Sequence, residues 1–421
     1  MIKIEKYDKK RGANVFIRRM NADPRVTASV AAIVEDVKER GDEAVREYSL
    51  KFDGWAGEMP VSESEWAEGA AKCDAFLLQV MKEAAQNIAD FHRRQIPQGF
   101  EVEKENGVIL GQKVTPLERV GIYVPGGTAA YPSTVLMNAV PASVAGVKEI
   151  IMVTPAKEGR IKPEILAAAK IAGVTKIFKV GGAQAIAALA YGTQTIPAVD
   201  KITGPGNIYV ATAKKLVYGQ VDIDMIAGPS EILVIADESA DAERAAADML
   251  SQAEHDVLAS AVMVTTSARL AELVAAEIER QLTDLPRMEI AQRSIEDNGR
   301  VIVAESLDDA VEIANALAPE HLEVYTSDPF ALLPRLVNAG SIFLGGYTPE
   351  PVGDYFAGPN HTLPTSGTAR FSSPLSGADF VKRSSYIHYT KEALKEAGEK
   401  IAAFAESEGL QAHANAVRIR R

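Results

Sequence analysis

From about Val108 to Leu344 the chain repeats one texture: a short β-branched run, a glycine or polar break, then an alanine-rich stretch. No other feature constrains the fold as much. Strands that recur with a helix between them pair in parallel, and the helices cover the sheet faces. The runs Val120–Val124, Glu149–Val153 and Lys176–Val180 predict three strands, the last followed by Gly181-Gly182 and a helix over Ala183–Tyr191. The pattern restarts after Glu231, with strands predicted at Ile232–Ala236, Ala261–Thr265, Val301–Ala304, Leu322–Tyr325 and Ser341–Leu344. Helical spacing predicts Ala240–His255, Ala268–Leu282 and Leu307–Leu317 between them. Two such blocks, about residues 123–230 and 231–375, predict two related α/β domains with parallel-rich sheets. Ahead of them, Val26–Leu50 and Glu63–Gln95 read as helical, broken near Phe52-Asp53-Gly54. From Lys391 the chain reads as a helical tail without strands.

Charge and apolar run lengths exclude two classes of partner. The net charge is -12 and no dense Lys/Arg stripe appears, which argues against nucleic acid, since phosphate binding needs clustered cations. No uninterrupted apolar stretch reaches membrane-spanning length, so no membrane partner is expected. Met1–Lys6 is not followed by a long apolar run, and the single cysteine, Cys73, excludes an intrachain disulfide. A cytoplasmic location is expected.

Three clusters gather groups that move protons or bind cations. They are Ser251-Gln252-Ala253-Glu254-His255-Asp256, Pro319-Glu320-His321, and Val352-Gly353-Asp354 with Gly358-Pro359-Asn360-His361. Together they hold three of the six histidines. Gln252 and His255 are three apart, so on a helix they share one face and converge on one cation. Adjacent Glu320 and His321 can divide two proton transfers between them. A donor set of His, His, Asp and Gln suits zinc or another divalent transition ion better than calcium or magnesium. Each residue also has a plainer reading. His255 fits a hydrogen-bonded core histidine, Gln252 a satisfied polar residue, Asp354 a turn brace, and Glu320 a solvated cap. Glu408 and His413 fit the surface of a charged tail helix. His92 reads as a helix-end residue favoured by the dipole, and His388 as a structural strand residue.

Two glycine turns, Gly181-Gly182-Ala183-Gln184 and Gly204-Pro205-Gly206-Asn207, each follow a strand-like run and precede a helix. Such turns let the backbone approach a ligand and offer helix N–H groups to an anion. Neither is the G-x-G-x-x-G fingerprint, and no acidic residue follows at the required distance. By themselves they read more simply as tight turns than as a cofactor site.

Eight segments in order carry a resemblance: Val124–Gly127, Gly181–Leu189, Gly204–Asn207, Ala227–Glu231, Gln252–Asp256, Ala318–Glu323, Gly358–Thr365 and Glu408–His413. Together they resemble the histidinol dehydrogenase family, over nearly the whole chain from Phe91-His92 onward. The resemblance implies oxidation of L-histidinol to L-histidine through an aldehyde, with two NAD molecules reduced in turn. It implies His321 as general base and Glu320 as the group that activates water. It implies one zinc ion per subunit, with Gln252, His255, Asp354 and His413 as ligands. Ser230, His361 and Glu408 fall at substrate-contacting positions, together with the metal ligands and His321. Tyr123, Gln184 and Asn207 fall at NAD-contacting positions.

The resemblance also implies an intertwined homodimer whose tail supplies Glu408 and His413 to the partner's site. The expected organisation is an N-terminal segment (1–14) and a first domain of residues 15–122 and 231–375. An inserted NAD-binding domain (123–230) and a C-terminal tail (376–421) complete it. Both domains are expected to be incomplete Rossmann types. Three rivals remain: oxidation of another amino alcohol or polyol, a silent metal-binding relative, and a zinc hydrolase. Glu408 and His413 favour histidinol, Glu320-His321 weighs against a silent protein, and a hydrolase leaves the glycine turns unexplained.

Overall fold

The computed structural model describes residues 1–17, 23–126 and 131–420. Gly127, the end of the first shared motif, lies outside them. The strands are β1 (Lys3–Lys6), β2 (Phe100–Glu103), β3 (Ile109–Pro116), β4 (Arg119–Tyr123), β5 (Glu149–Val153), β6 (Lys176–Phe178), β7 (Lys201–Thr203) and β8 (Asp222–Ile223). They continue as β9 (Glu231–Ala236), β10 (Ser260–Thr265), β11 (Arg300–Val303), β12 (His321–Tyr325), β13 (Ser341–Leu344) and β14 (Val381–His388). Parallel pairing builds a six-stranded sheet in the order β1-β11-β10-β9-β12-β13 and a five-stranded sheet in the order β6-β5-β4-β7-β8. A small antiparallel sheet, β14-β3-β2, completes the set.

The inner strands of the two parallel sheets are buried on both faces, as their unbroken apolar runs require. In β9, Ile232, Val234 and Ala236 enter one core while Leu233 and Ile235 enter another. In the five-stranded sheet Ile150 and Met152 face one core, and Ile151 and Val153 the other.

Ahead of the sheets come helices α1 (Pro24–Arg40), α2 (Asp42–Asp53), α3 (Glu63–Ala70) and α4 (Ala75–Arg93). The long segment Val26–Leu50 is therefore two helices. They part at Gly41, whose φ of +58° is a left-handed conformation and whose Cβ would strike the Gln194 side chain. The second segment parts as well, between α3 and α4. Helical spacing runs on through both breaks and gives no warning of them.

The five-stranded sheet carries α5 (Pro132–Val144), α6 (Pro163–Ala172), α7 (Gly182–Tyr191) and α8 (Ile208–Val217). The cores group the chain differently from the expected segments. Val30, Val34 and Val37 of α1 and Ala44 and Val45 of α2 pack on one face of the five-stranded sheet, with α7 and α8. Met81, Ala84 and Ile88 of α4 pack on its other face, with α5 and α6. The N-terminal segment is no loose end: β1 pairs with β11, and Tyr7 and Ala13 join a core of the six-stranded sheet. A helical stripe shows which face is apolar but not which sheet it will cover.

The six-stranded sheet is flanked by α9 (Ala242–Ala253), α10 (Ala268–Leu282), α11 (Met288–Asn298) and α12 (Leu307–Leu317). Short helices α13 (Pro329–Leu332) and α14 (Glu350–Val352) follow β12 and β13. The tail begins with β14, paired along its length to β3, and His388 is its last residue, as the alternation suggests. Helices α15 (Lys391–Ser407) and α16 (Gln411–Arg418) then pack chiefly on each other. Among the described residues no helix is long and apolar enough to cross a membrane.

Candidate active site

In the five-stranded sheet the chain runs from β4 outward to β5 and β6, then returns to the opposite side with β7 and β8. The order reverses between β4 and β7, and the C-terminal ends of those strands open a crevice. Two cavities lie there. One, of about 320 Å³, is lined by Pro125, Gly126 and Gly204–Asn207 from that edge. Its opposite wall comes from the N-terminal edge of the six-stranded sheet and the segments around it: Ser230, Gln252, His255, Glu320, His321, Asp354 and His361. Seven expected residues from scattered segments thus converge. The second cavity, of about 880 Å³, is lined by Tyr123, Gln184 and Asn207 and by Ser29, Ile33 and Asp53 of α1 and α2. Pro125, Gly126 and Asn207 line both. Glu408 and His413 line neither; both are exposed on the tail.

The backbone of Glu231, at the start of β9, positions the central pair. Its N–H donates to Glu320 Oε2 at 2.9 Å, and its carbonyl accepts from His321 Nδ1 at 3.0 Å. With Nδ1 so engaged, Nε2 is the free ring nitrogen, and it is buried without a hydrogen-bond partner. It lies 3.6 Å from Asp354 Oδ1 and 3.9 Å from Glu350 Oε1. Burial pushes the Glu320 carboxyl up to about 8. For His321 burial acts downward, but Glu320, Glu350 and Asp354 outweigh it and raise the imidazole to about 10.

No lysine or arginine stands among the described residues lining this cavity, so histidines are the only side chains there that can offset these carboxylates with positive charge. Such a donor set fits a divalent cation. Gln252, buried in the last turn of α9, donates its amide N–H to Glu350, which leaves its Oε1 buried and unpartnered. His255 is not on the helix with it: α9 ends at Ala253, and His255 lies in the following turn, its N–H bonded to the Gln252 carbonyl at 3.2 Å. The helical-face argument for the pair therefore fails, although both reach the same cavity. His255 keeps exposed surface because it faces that cavity, while the protein around it lowers its pKa. Asp354 lies in a π-helical turn, Gly353–Ala357, a wide turn common at functional sites. Burial acts upward on its carboxyl, but His321 and His361 hold it low. His361 Nδ1 donates to the Asp354 carbonyl at 3.1 Å, and burial lowers the His361 pKa.

Sequence reasoning missed Glu350. One ligand atom each from His321, Glu350 and Asp354 lie within 4.8 Å of one another, a trio that shares only Asp354 with the expected ligands. Burial raises Glu350 to about 7. Its backbone N–H donates to Glu323 Oε1 at 2.9 Å, and burial pushes Glu323 up to about 9 beside Asp248. A signal was present: Glu350 sits between two prolines and four residues before Asp354, a helical spacing.

In the larger cavity the Tyr123 hydroxyl accepts the Gly182 N–H at 3.2 Å, at the start of α7. Gln184 is fully buried, and neither end of its amide has a partner. Asn207 caps α8 by accepting from the Tyr209 and Val210 N–H groups. Both glycine turns are thus tight strand-to-helix turns and cavity walls at once. His92 departs from its expected role. It is fully buried near the end of α4, burial lowers it to about 4, and it is neutral rather than a dipole-favoured cation.

Fold and site together define an α/β enzyme built on two parallel sheets, with a buried Glu-His pair beside a switch-point cavity. The family model for histidinol dehydrogenase matches residues 17–421. The histidinol dehydrogenase of Geobacillus kaustophilus (strain HTA426) is 59% identical over 394 residues, covering 93% of each chain. That of Bacillus subtilis (strain 168) is 58% identical over 394 residues, covering 93% of this chain and 92% of the other. The crystal structure of histidinol dehydrogenase from Elizabethkingia anophelis superposes with a TM-score of 0.95 at 39% identity, covering 100% of this chain and 98% of that one. The chain belongs to the histidinol dehydrogenase family, the oxidoreductases of histidine biosynthesis.

Proposed function

We propose that the chain oxidises L-histidinol to L-histidine through L-histidinal, passing one hydride to each of two NAD molecules. The observation that carries this is the junction of the two cavities. The Glu320-His321 pair faces the smaller one, and Pro125, Gly126 and Asn207 form a wall common to both. Substrate in the first and nicotinamide in the second meet at that wall.

His321 Nε2, in the neutral form that a cation offsetting Glu350 and Asp354 would favour, takes the hydroxyl proton as hydride leaves the adjacent carbon for NAD, which yields the aldehyde. Glu320, as carboxylate, takes a proton from water as its oxygen adds to the aldehyde carbon. His321 returns its first proton to the carbonyl oxygen as the hydrate forms. Neutral again, it takes a hydrate hydroxyl proton as a second hydride passes to the second NAD, and the resulting carboxylic acid loses its proton to solvent. Tyr123, Gln184 and Asn207 contact the cofactor, and Ser230, His361 and Glu408 contact the substrate.

Gln252, His255, Asp354 and the partner's His413 would hold one zinc ion per subunit. The unpartnered Gln252 Oε1 and the uncompensated carboxylates support that assignment. When bound, the metal supplies Lewis-acid attachment for the imidazole and amino nitrogens of the substrate, which fixes its orientation. His321, tied through Nδ1 to Glu231, serves as base rather than ligand.

The tail supports a homodimer with exchanged ends. Its helices pack chiefly on each other, they expose Phe404 (71%) and Ile419 (70%), and they carry Glu408 and His413 outside the cavity of their own chain. The biosynthetic role fits a cytoplasmic location. Following NADH against limiting L-histidinol tests the reading. Two equivalents per substrate are expected, and one equivalent with free aldehyde accumulating would overturn it.

A further inference from the structure

A buried ion pair stands at the wall common to the two cavities, with Asp224 among the residues lining the smaller one, and the chemistry above gives it no role. Lys214 of α8 and Asp224, just past β8, pair with their side chains only 2% and 1% exposed. The Lys214 ammonium also donates to the Gly204 carbonyl at 3.0 Å. Asp224 accepts the Gly204 N–H at 2.8 Å through Oδ2 and the Met225 N–H at 2.6 Å through Oδ1.

Gly204 is therefore gripped at both its N–H and its carbonyl by the two members of one ion pair. The grip fixes an unusual backbone. Gly204 has φ of +112°, and a Cβ there would lie 2.1 Å from the Tyr123 carbonyl oxygen. The loop after β7 is held hard against the end of β4, across the switch point. That loop ends in Asn207, which lines both cavities. Met225 opens the segment that runs through Ala227 and Gly228 to Ser230 along the smaller cavity. One carboxylate thus ties together a wall of the cofactor cavity and a wall of the substrate cavity. A buried charge pair is a poor device for stability alone, because desolvation offsets much of its attraction, and a geometric role suits it better.

We propose that Lys214 and Asp224 are positioning residues, whose ion pair sets the two loops at the spacing that lets nicotinamide and substrate meet. The inference rests on reading the larger cavity as the NAD site. The test is the charge-balanced double variant K214M/D224N, in which Asn keeps an acceptor for the Gly204 N–H. Misplacing a reacting partner by ~1 Å costs on the order of 100-fold. The variant is expected to fold and to carry zinc at the wild-type level, with kcat/KM for NAD lowered ~10- to 100-fold and NAD binding weakened in parallel. K214R, which keeps charge and donors, is expected to retain most of the NAD affinity. A merely structural pair would lower the melting temperature and leave the NAD parameters alone.

K214Q alone serves as second variant if the double one does not fold, since its amide keeps a donor beside the Gly204 carbonyl and Asp224 keeps both backbone partners. Q184A, inside the larger cavity, separates the two levels of the argument. If Q184A weakens NAD binding and the folded clamp variants do not, the clamp falls. If neither Q184A nor the clamp variants change NAD binding, the cofactor reading falls with it.

Discussion

Acid is expected to unfold this protein partly through His92, which touches no substrate. The imidazole is fully buried, and its Nε2 lies 3.5 Å from Asn360 Nδ2, a donor that also bonds the Met137 carbonyl at 2.6 Å. Protonating Nε2 would set donor against donor in a buried site, where burial outweighs the help that Gln95 and Asp379 give the charge. Unfolded, His92 takes its proton near pH 6.5; folded, only near pH 4. Between these values the unfolded chain binds more protons, so falling pH favours unfolding. The neutral imidazole's contribution is intact above pH 6.5, shrinks as pH falls, and is gone by about pH 4. At ~1.4 kcal/mol per pH unit this amounts to about 3 kcal/mol, of which about 2 kcal/mol is lost by pH 5. The assay is urea unfolding of the wild type and H92Q at one protein concentration, from pH 7 to pH 4. His255 and His361 are common to both proteins and cancel in the difference. The stability gap between wild type and variant should shift by about 3 kcal/mol over that range. A constant gap would refute the reasoning. The consequence reaches the site, because Asn360 precedes His361 and its Oδ1 accepts the Thr362 N–H at 2.8 Å.

H321A should abolish oxidation of both alcohol and aldehyde, whereas E320Q should mainly slow the aldehyde half-reaction, by ~10²–10⁴-fold. Equal, mild losses in both half-reactions, assayed separately, would contradict that division. Chelation should remove activity while circular dichroism stays near native, and E350A should bind zinc ~10–100-fold more weakly because Gln252 loses its orienting partner. Full turnover in protein shown by elemental analysis to be metal-free would end the metal assignment. Mixed H413A and H321A subunits, each inactive alone, should regain part of the wild-type activity if the tail acts in trans. One site of the mixed dimer then carries both lesions and the other none, so silence despite verified subunit exchange would count against tail exchange.

What could be read before folding follows what local periodicity encodes. Strands β9 and β12 are runs of residues buried on both faces, β13 is a short apolar run at the sheet edge, and the positions of all three were legible to within a residue. Helix α12 was legible to its ends because Ser306 caps its start and the chain turns left-handed at Ala318, ahead of Pro319. Periodicity is blind to a break inside a continuing stripe, as at Gly41, and to a helix that stops short, as α9 does before His255. It is blind also to which sheet a stripe will cover: α1, α2 and α4 pack on the five-stranded sheet, which their stripes do not announce. In the site, the residues lining the smaller cavity were legible as clusters of uncommon donors. Glu350 was not, because glutamate is common and only the fold sets it against Gln252 and His321. Nor was the Lys214–Asp224 pair, whose meaning lies in a backbone contact with Gly204.

The two sheets bring different edges to the site, and the chemistry needs both. A parallel strand begins with backbone groups that its neighbours do not fully use. Glu231 spends its N–H on Glu320 and its carbonyl on His321, so the acid–base pair is aligned by the rigid start of β9 and not by a loop. The five-stranded sheet presents its opposite, C-terminal edge, where α7 and α8 begin and the positive ends of their dipoles favour a ligand's negative charge. That edge favours an anionic ligand. On the other side, Glu320, Glu350 and Asp354 crowd around His321 with no lysine or arginine among the described lining residues. Such an edge repels an anion and favours a cationic substrate or a metal. Hydride transfer needs an anionic dinucleotide and a proton-accepting pair within one reach, and no single sheet edge here offers both fields. Setting the end of one sheet against the start of another does, with the Gly204–Asn207 loop as the wall between them.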